Sequence, residues 1–328
     1  DGRPILCLHS EKLAEIVYGI DETIVIVPAH AWTPWFSIFG SMSGFDSIEE
    51  CFGKYADKIF AIETGLSSDP AMNWRLSKLD NIALISNSDS HSLRKIGREA
   101  NIFDTELSYE GIINAIKDGI PSSRINTDKK LINTEKNKIR INPLNQYKSV
   151  FVATLEFFPE EGKYHYDGHR VCGIVFSPEE TKKHKGICPV CKRPLTVGVV
   201  YRVEQLADKK PENINEGNYH RYNNRVPYYN LVSLDEIIAE AFGVGTASKK
   251  VKEVYTELIK KFGSELKILL EIKESDLKGK TDLRITEGIK KMREGKVEIR
   301  PGYDGEYGVV KIFSDQEREE IELQQALC

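Results

Sequence analysis

Short apolar runs rich in β-branched residues alternate with amphipathic segments through the first third of the chain, and this alternation most constrains the fold. The apolar runs have the continuous hydrophobic character of strands buried on both faces. They are TIVIVPAH (23–30), IFAIET (59–64) and NIALISNSDSH (81–91). Apolar residues at helical spacing predict helices over 10–20, 48–58, 73–80 and 108–119. Strands that alternate with helices predict an α/β fold with a parallel sheet or barrel.

Four potential metal ligands follow the predicted strands, at the end where such folds place their chemistry. These are His30, Glu63, Asp89 and His91. Residues two apart in an extended segment point the same way, so Asp89 and His91 can reach one metal or two adjacent ones. Imidazole and carboxylate ligands are typical of hydrolytic zinc, manganese or iron centres. The alternative is that His30 is a core histidine, Asp89 caps a turn and Glu63 holds a loop.

A second constellation has the spacing of a structural zinc site. His169-x-x-Cys172 and Cys188-x-x-Cys191 form two chelating pairs, which suit a tetrahedral metal with one nitrogen and three sulfur ligands. Few large apolar residues surround them, so the metal would supply much of the local folding energy. Two further histidines remain open as the nitrogen ligand, namely His165 and His184. A site with all four positions filled is structural rather than catalytic.

The overall composition indicates which cellular compartment and which kinds of binding partner are to be expected. Six cysteines in 328 residues, two of them in C-x-x-C, favour metal binding in a reducing compartment over disulfides. No apolar run is long enough to cross a bilayer, so we expect no membrane contact and a cytoplasmic protein. The formal net charge is -4, so any nucleic-acid surface must be local.

Three local clusters of basic residues stand against this acidic total. The first lies in a polar connector, at Lys129, Lys130, Lys136, Lys138 and Arg140. The second flanks the cysteine pairs, at Lys182, Lys183, Lys185, Lys192 and Arg193. The third includes Lys249 and Lys250, which begin a helix after FGVGTAS, where free backbone N–H groups suit phosphate. A solvated lysine face is the alternative for any one cluster.

Aromatic and small polar residues lie beside the predicted metal site. Trp35 belongs to the aromatic loop AWTPWFSIFG, and Gly65, Ser67, Ser68 and Asp69 follow the second strand. Such groups can clasp an unstacked nucleobase. The alternative is an ordinary aromatic core beneath a long loop.

The last hundred residues predict helices followed by a hairpin. The helical segments are 233–243, 248–263, 264–272 and 281–295, and the hairpin spans 295–313 with a turn at Asp304-Gly305. Together with the changes in composition, this divides the chain into residues 1–148, 149–225 and 226–328. These would be a catalytic domain, a zinc-binding domain and a helical DNA-binding domain.

Several long motifs occur in the order found in one known family. PAHAWTPW, AIETGLSSDP and SNSDSH are followed by EGKYHYDGHRVCG with CPVC, then LTVGVVYRVEQLAD and GYDGEYGVVKIF. Together they resemble endonuclease Q, a family of DNA-repair nucleases, over essentially the whole chain. The resemblance implies part of a PHP (polymerase and histidinol phosphatase) domain, a distorted β/α barrel, followed by a zinc-binding and a C-terminal helical domain.

The resemblance also implies an activity and the residues that perform it. His30, Asp89 and His91 would be catalytic ligands of two or three divalent metals (Zn, Mn, Mg or Fe). The reaction would be hydrolysis of the phosphodiester on the 5′ side of uracil, hypoxanthine or an abasic site in double-stranded DNA. Residues Glu63 to Asp69 would line the pocket for the turned-out lesion. We also expect a monomer, with a replication clamp or other repair proteins as candidate partners.

One departure from the family pattern affects the expected activity. A PHP site opens with an H-x-H pair, whereas His9 is the only histidine here before His30. We therefore expect the first part of the barrel to lie upstream of Asp1, and this chain alone to be inactive. Two rival functions remain: a PHP phosphoesterase acting on a small phosphate ester, and a non-catalytic DNA-binding protein with a degenerate barrel.

Overall fold

A computed structural model of the chain describes residues 6–42, 44–121, 149–210, 215–314 and 316–318. The predicted polar connector and its basic cluster, from Lys129 to Arg140, lie outside the described residues. No helix in the described part of the chain is both long and apolar enough to cross a membrane.

Two short parallel strands organise the first region. Its elements are helix α1 (Ser10–Ile20), helix α2 (Ile48–Phe52) with the 3-10 turn Gly53–Lys58, strand β1 (Ala61–Glu63), helix α3 (Pro70–Asn73) and strand β2 (Ala83–Ile85). Strands β1 and β2 pair in parallel, with Ile62 opposite Leu84. The prediction of parallel pairing is thus confirmed here, while a closed barrel is not formed by the described residues and stays a prediction.

Two predicted elements of this region are wrong. Residues 23–30 form no strand; the Glu63 N–H donates to Pro28 O and the Ala31 N–H donates to Glu63 O, but the ladder extends no further. Proline offers no N–H, and His30 leaves the extended region with φ 30°. A continuous helix over 73–80 is not formed: helix α3 ends at Asn73, Leu76 is extended and buried, and a 3-10 turn at Ser77–Leu79 follows.

A five-stranded mixed sheet joins distant parts of the chain. Its strands are β3 (Ala100–Asp104), β4 (Val150–Glu156), β7 (Asn215–Glu216), β8 (Tyr219–His220) and β9 (Tyr228–Asn230). The order is β3-β4-β9-β8-β7, and β4 runs parallel to β9. This sheet takes strands from all three predicted domains, whose boundaries stay predictions. Helix α4 (Tyr109–Asp118) separates β3 from the connector, and the Ser108 side chain caps it by accepting the Gly111 N–H.

The middle of the chain holds a small unit around the cysteines. It comprises strand β5 (Asp167–His169), strand β6 (Ile174–Phe176), helix α5 (Pro178–Lys183) and helix α6 (Val199–Leu206). Strands β5 and β6 are antiparallel, with Gly168 opposite Val175.

The C-terminal region is helical and ends in a hairpin, as the sequence predicts. Its helices are α7 (Leu234–Ala241), α8 (Lys249–Phe262), α9 (Glu265–Leu270), α10 (Glu274–Leu277) and α11 (Leu283–Arg293). Strands β10 (Glu298–Arg300) and β11 (Val309–Lys311) form the hairpin. Its turn uses Asp304 and Gly305, both with positive φ.

Strand β4 connects the packing of the N-terminal and C-terminal regions. Leu155 belongs to the apolar cluster of the C-terminal helices. Phe151, on the same strand, packs with Ala61 of β1 and Ala83 of β2. Strands β1 and β2 therefore pack against a strand that also contacts the C-terminal helices.

Candidate functional site

The carboxylate of Glu63 joins three segments where β1 and β2 end. Glu63 is the last residue of β1 and is only 7% exposed. Its Oε2 accepts the His30 backbone N–H at 2.6 Å, and its Oε1 accepts the Asn87 side-chain N–H at 2.9 Å. The segment before β1, the end of β1 and the segment after β2 thus meet at one buried carboxylate.

His30 has a left-handed backbone that depends on close approach by a glycine. A Cβ added to Gly65 would lie 2.7 Å from His30 Cα, too close for any other residue without movement. Gly65 itself has φ 62°, a conformation that glycine adopts freely. The His30 ring places Nδ1 3.3 Å from the Thr33 hydroxyl. Gly65 therefore shapes the site through the backbone of His30.

Asp89 and His91 lie after β2 with largely exposed side chains, 55% and 70% respectively. His91 Nδ1 is 2.8 Å from the Asp89 carbonyl oxygen and 4.0 Å from Asp89 Oδ1. Asp89 has a left-handed backbone, φ 44°. The two side chains are thus neighbours, as residues two apart should be.

The three predicted catalytic ligands suit a divalent metal by type but do not converge. Within the described ranges, His30, Asp89 and His91 do not appear as three ligand atoms gathered at one point. The three donors therefore do not fit a shared metal in this geometry. Their assignment as catalytic ligands stays a prediction.

The residues predicted to line the lesion pocket have structural partners. The Ser68 hydroxyl donates to Thr64 O and accepts from the Asn73 side chain. Asp69 caps α3 by accepting the Met72 N–H at 2.8 Å, and burial raises the pKa of its carboxyl. Ser67 ends the 3-10 turn Gly65–Ser67.

The other predicted substrate contacts are at the surface. Trp35 is 39% exposed, and its ring meets Tyr164 edge-on at 5.1 Å. Lys249 begins α8 and lies 3.6 Å from Glu253, with 90% of its side chain exposed. The Lys250 ammonium lies over the Phe242 ring. Whether these residues touch substrate stays a prediction.

The Cys/His constellation is assembled in full. One ligand atom from each of His169, Cys172, Cys188 and Cys191 lies within 4.8 Å of the others, so the group could hold a metal such as zinc. Cys191 Sγ is 3.7 Å from His169 Nδ1.

Two tight turns bring these ligands together. Gly173 follows the first cysteine and Lys192 follows the last, and both have left-handed backbones, φ 64° and φ 62°. The Cys188 carbonyl accepts the Lys192 N–H, which closes the second turn. Each chelating pair is therefore built by local backbone geometry.

Two thiols of this group shift in opposite directions: against desolvation, backbone N–H donors of Cys191 and Val190 lower the pKa of Cys188, whereas the pKa of Cys172 is raised. Desolvation and the adjacent thiols of Cys191 and Cys188 raise the pKa of Cys172 to about 11. A bound cation would relieve this crowding, because metals take cysteine as the thiolate. The two rival histidines stack elsewhere, His165 on Tyr166 and His184 on Phe176.

Comparison with solved structures and curated proteins shows which proteins this chain resembles. The chain superposes on the crystal structure of the lesion-specific endonuclease PfuEndoQ from Pyrococcus furiosus with a TM-score of 0.74 and 28% identity, over 98% of this chain and 71% of that one. An endonuclease Q complex with a 27-mer duplex, carrying an abasic lesion at the active site, gives 0.73 and 29% over 98% and 70%. The chain resembles endonuclease Q. The resemblance that the sequence motifs indicate is thereby confirmed.

Two curated relatives are longer than this chain. The uncharacterized protein MJ0043 of Methanocaldococcus jannaschii is 33% identical over 98% of this chain and 37% of its own length. The uncharacterized protein YqxK of Bacillus subtilis is 28% identical over 93% and 66%. The chain thus spans less than two thirds of both. A family model described as the MJ0043 C-terminal domain matches residues 233–296.

Several residues at the edge where β1 and β2 end escaped prediction from the sequence. Besides Asn87, the most connected are Thr64, Ser86 and Glu156, whose side chains form one buried hydrogen-bonded group. The available signal is a carboxylate that ends the largely apolar strand VFVATLE. A buried charge of this kind requires partners.

Proposed function

We propose that this protein is a DNA-repair endonuclease. It would cut the phosphodiester on the 5′ side of uracil, hypoxanthine or an abasic site in duplex DNA, by metal-dependent hydrolysis. His30, Asp89 and His91 are the proposed catalytic ligands, and residues Glu63 to Asp69 the proposed lesion pocket.

The observation that carries the proposal is the match of 98% of the chain to a lesion-specific endonuclease at a TM-score of 0.74. A local observation supports it. Glu63 ends β1, Asn87 follows the neighbouring parallel strand β2, and their side chains hydrogen-bond directly. The predicted lesion pocket and the segment carrying Asp89 are therefore physically joined. A turned-out base at this edge would lie beside the proposed ligands.

The test is nicking of a labelled duplex that contains one uracil, compared with the same duplex containing thymine. The protein is assayed at its full natural length with Mn²⁺, Mg²⁺ or Zn²⁺. We expect one nick, 5′ to uracil, and a loss of at least about 100-fold on Asp89→Asn. Asparagine is chosen because it tolerates the left-handed backbone of Asp89.

The control separates the rival functions. Release of phosphate from histidinol phosphate without nicking would favour the small-molecule phosphoesterase. Lesion binding without any cut, or nicking indifferent to Asp89→Asn, would contradict the endonuclease and favour a DNA-binding role.

A further inference from the structure

Glu156 ends strand β4 with a fully buried side chain, 0% exposed. Its Oε2 lies 2.9 Å from the Thr64 hydroxyl and 3.1 Å from the Ser86 hydroxyl. The Thr154 hydroxyl donates to its Oε1. A buried carboxyl group is costly unless such partners surround it, so the position calls for an explanation.

We infer that Glu156 is a positioning residue that ties the end of β1 to the end of β2 beneath the candidate site. Thr64 immediately follows Glu63, and Ser86 immediately precedes Asn87. The residues linked to Glu156 are therefore the immediate chain neighbours of the Glu63–Asn87 pair. The positioning role rests on the proposed function of this edge, although the tie itself is a structural claim.

The count of hydrogen atoms favours a protonated Glu156. The Thr64 hydroxyl also lies 3.1 Å from Ile85 O, and the Ser86 hydroxyl lies 2.8 Å from Leu155 O. Ile85 O also accepts the Thr64 backbone N–H, so only Leu155 O depends on a hydroxyl hydrogen. A carboxylate at Glu156 would draw the hydrogens of both hydroxyls and leave Leu155 O without the Ser86 donor. A neutral carboxyl supplies a third hydrogen, so the Thr64 hydroxyl donates to Glu156, Glu156 donates to the Ser86 hydroxyl, and the Ser86 hydroxyl donates to Leu155 O.

The pKa of Glu156 also favours the protonated carboxyl. Burial raises this pKa to about 8; the hydroxyl donors lower it and nearby Asp69 raises it, both by smaller amounts. A neutral amide should therefore imitate the native group, whereas an apolar side chain should not. Glutamine supplies both a donor and an acceptor at the same length.

Strand β3 also holds the end of β2 in place, through hydrogen bonds to Ser86. Asn101 on β3 accepts the Ser86 N–H with its side-chain oxygen at 2.9 Å and donates to Ser86 O at 2.8 Å. Asn101 lies opposite Thr154 of β4 in the sheet. The β3–β4 pair thus holds the end of β2 by hydrogen bonds to Ser86. Glu156 extends this hydrogen-bonded contact to Thr64, at the end of β1.

The decisive measurement is amide hydrogen exchange, which needs no catalytic activity. We compare Glu156→Leu and Glu156→Gln with the natural protein at its full length. In Glu156→Leu, exchange at the Thr64, Ser86 and His30 amides should accelerate about tenfold, the effect of one lost hydrogen bond of ordinary strength. In Glu156→Gln it should stay within about twofold.

Two further variants guard against a trivial result. Thr154→Val removes the third hydroxyl that contacts Glu156 and leaves the links to Thr64 and Ser86 intact. It should therefore leave the exchange rates of the three amides unchanged. If Glu156→Leu does not fold, Thr64→Val removes one link alone and should accelerate the same amides. Amides of helix α8 report on global unfolding.

The outcomes decide the two proposals separately. Acceleration confined to the site, absent in Glu156→Gln, supports the positioning role. Equal acceleration in α8, or none at all, overturns it, as does an equal effect of Thr154→Val. Nicking of uracil-containing duplex is then measured on the same variants: kcat should fall with Glu156→Leu more than KM rises. A natural protein that never nicks lesions refutes the proposed function while leaving the exchange result intact.

Discussion

The two candidate metal groups of this chain differ in how far their geometry is complete. The group of His169 and three cysteines gathers all four ligand atoms within 4.8 Å. The proposed catalytic ligands are spread over an edge, with His30 held by Glu63 and with Asp89 and His91 largely exposed. The first group is built from two local turns, whereas the second depends on where separate strands end.

The difference teaches which sites a sequence can specify locally. A C-x-x-C turn places its own ligands through backbone conformation, as the left-handed Gly173 and Lys192 show. A site at strand ends needs tertiary contacts to align it, and here these are Glu63, Asn87 and Glu156. Removing a ligand should therefore damage folding at the first group and the proposed chemistry at the second.

The largest effect should follow from removing the metal of the Cys/His group. Cys188→Ser should lower bound zinc by about one equivalent per chain and abolish cooperative unfolding of the β5–β6 unit, because metal binding supplies its folding energy. Metal content by mass spectrometry and thermal unfolding measure both changes.

The exposed Cys7 provides the control for this substitution. Cys7→Ser should retain zinc and the unfolding transition. Full zinc content in Cys188→Ser would contradict the assignment. Zinc affinity should also rise with pH, since the thiols must lose protons to bind.

Gly65→Ala should have the next largest effect, through His30. The new Cβ would meet His30 Cα at 2.7 Å and would also stand on a left-handed backbone. We expect a loss of about 2–4 kcal/mol in the free energy of unfolding, from the strain and the close contact together. Denaturant unfolding measures it.

Gly97 separates these two causes. It has φ 77° and nothing within 4 Å of an added Cβ, so Gly97→Ala carries the conformational cost alone, about 1 kcal/mol. The excess for Gly65→Ala is the contact with His30. Equal losses in the two variants would show that Gly65 does not constrain the histidine.

Elements with local signals were predictable from the sequence. Helix α4 has its Ser108 cap, helix α8 is followed by Gly263, and the hairpin turns at Asp304-Gly305 as expected. Helix-forming and turn-forming preferences act over a few residues, so their effect is visible in the chain itself.

Two elements that depend on distant partners were not predictable. The run at 23–30 resembles a buried strand, yet its pairing with β1 stops at Pro28 and Ala31. Strand β4 pairs with β3 and β9, whose partners lie far away in sequence. The histidines and carboxylates of the candidate site could be identified from the sequence. Glu156, in contrast, acquires its role only when β4 reaches the ends of β1 and β2.

A smaller effect is expected where DNA would contact the helical region. Lys249→Ala should weaken binding of a lesion-containing duplex about threefold to tenfold at low salt, and should reduce the slope of log affinity against log salt by about 0.9, the value for one lost phosphate contact. Titration at several salt concentrations measures both quantities.

Lys12, in an exposed pair with Glu15 on α1, is the matched lysine for this test. Lys12→Ala should change neither affinity nor slope. An unchanged slope in Lys249→Ala would exclude a phosphate contact at the start of α8.

The smallest effect completes the contrast between the two metal groups. His91→Ala should change the free energy of unfolding by no more than about 0.5 kcal/mol, because its side chain is 70% exposed and its described contacts are with Asp89 of the same loop. The measurement is denaturant unfolding beside Cys188→Ser under the same conditions. A loss as large as that from Gly65→Ala would mean that His91 supports the fold. A near-zero loss joined to loss of lesion nicking would assign His91 to the chemistry of the edge where β1 and β2 end.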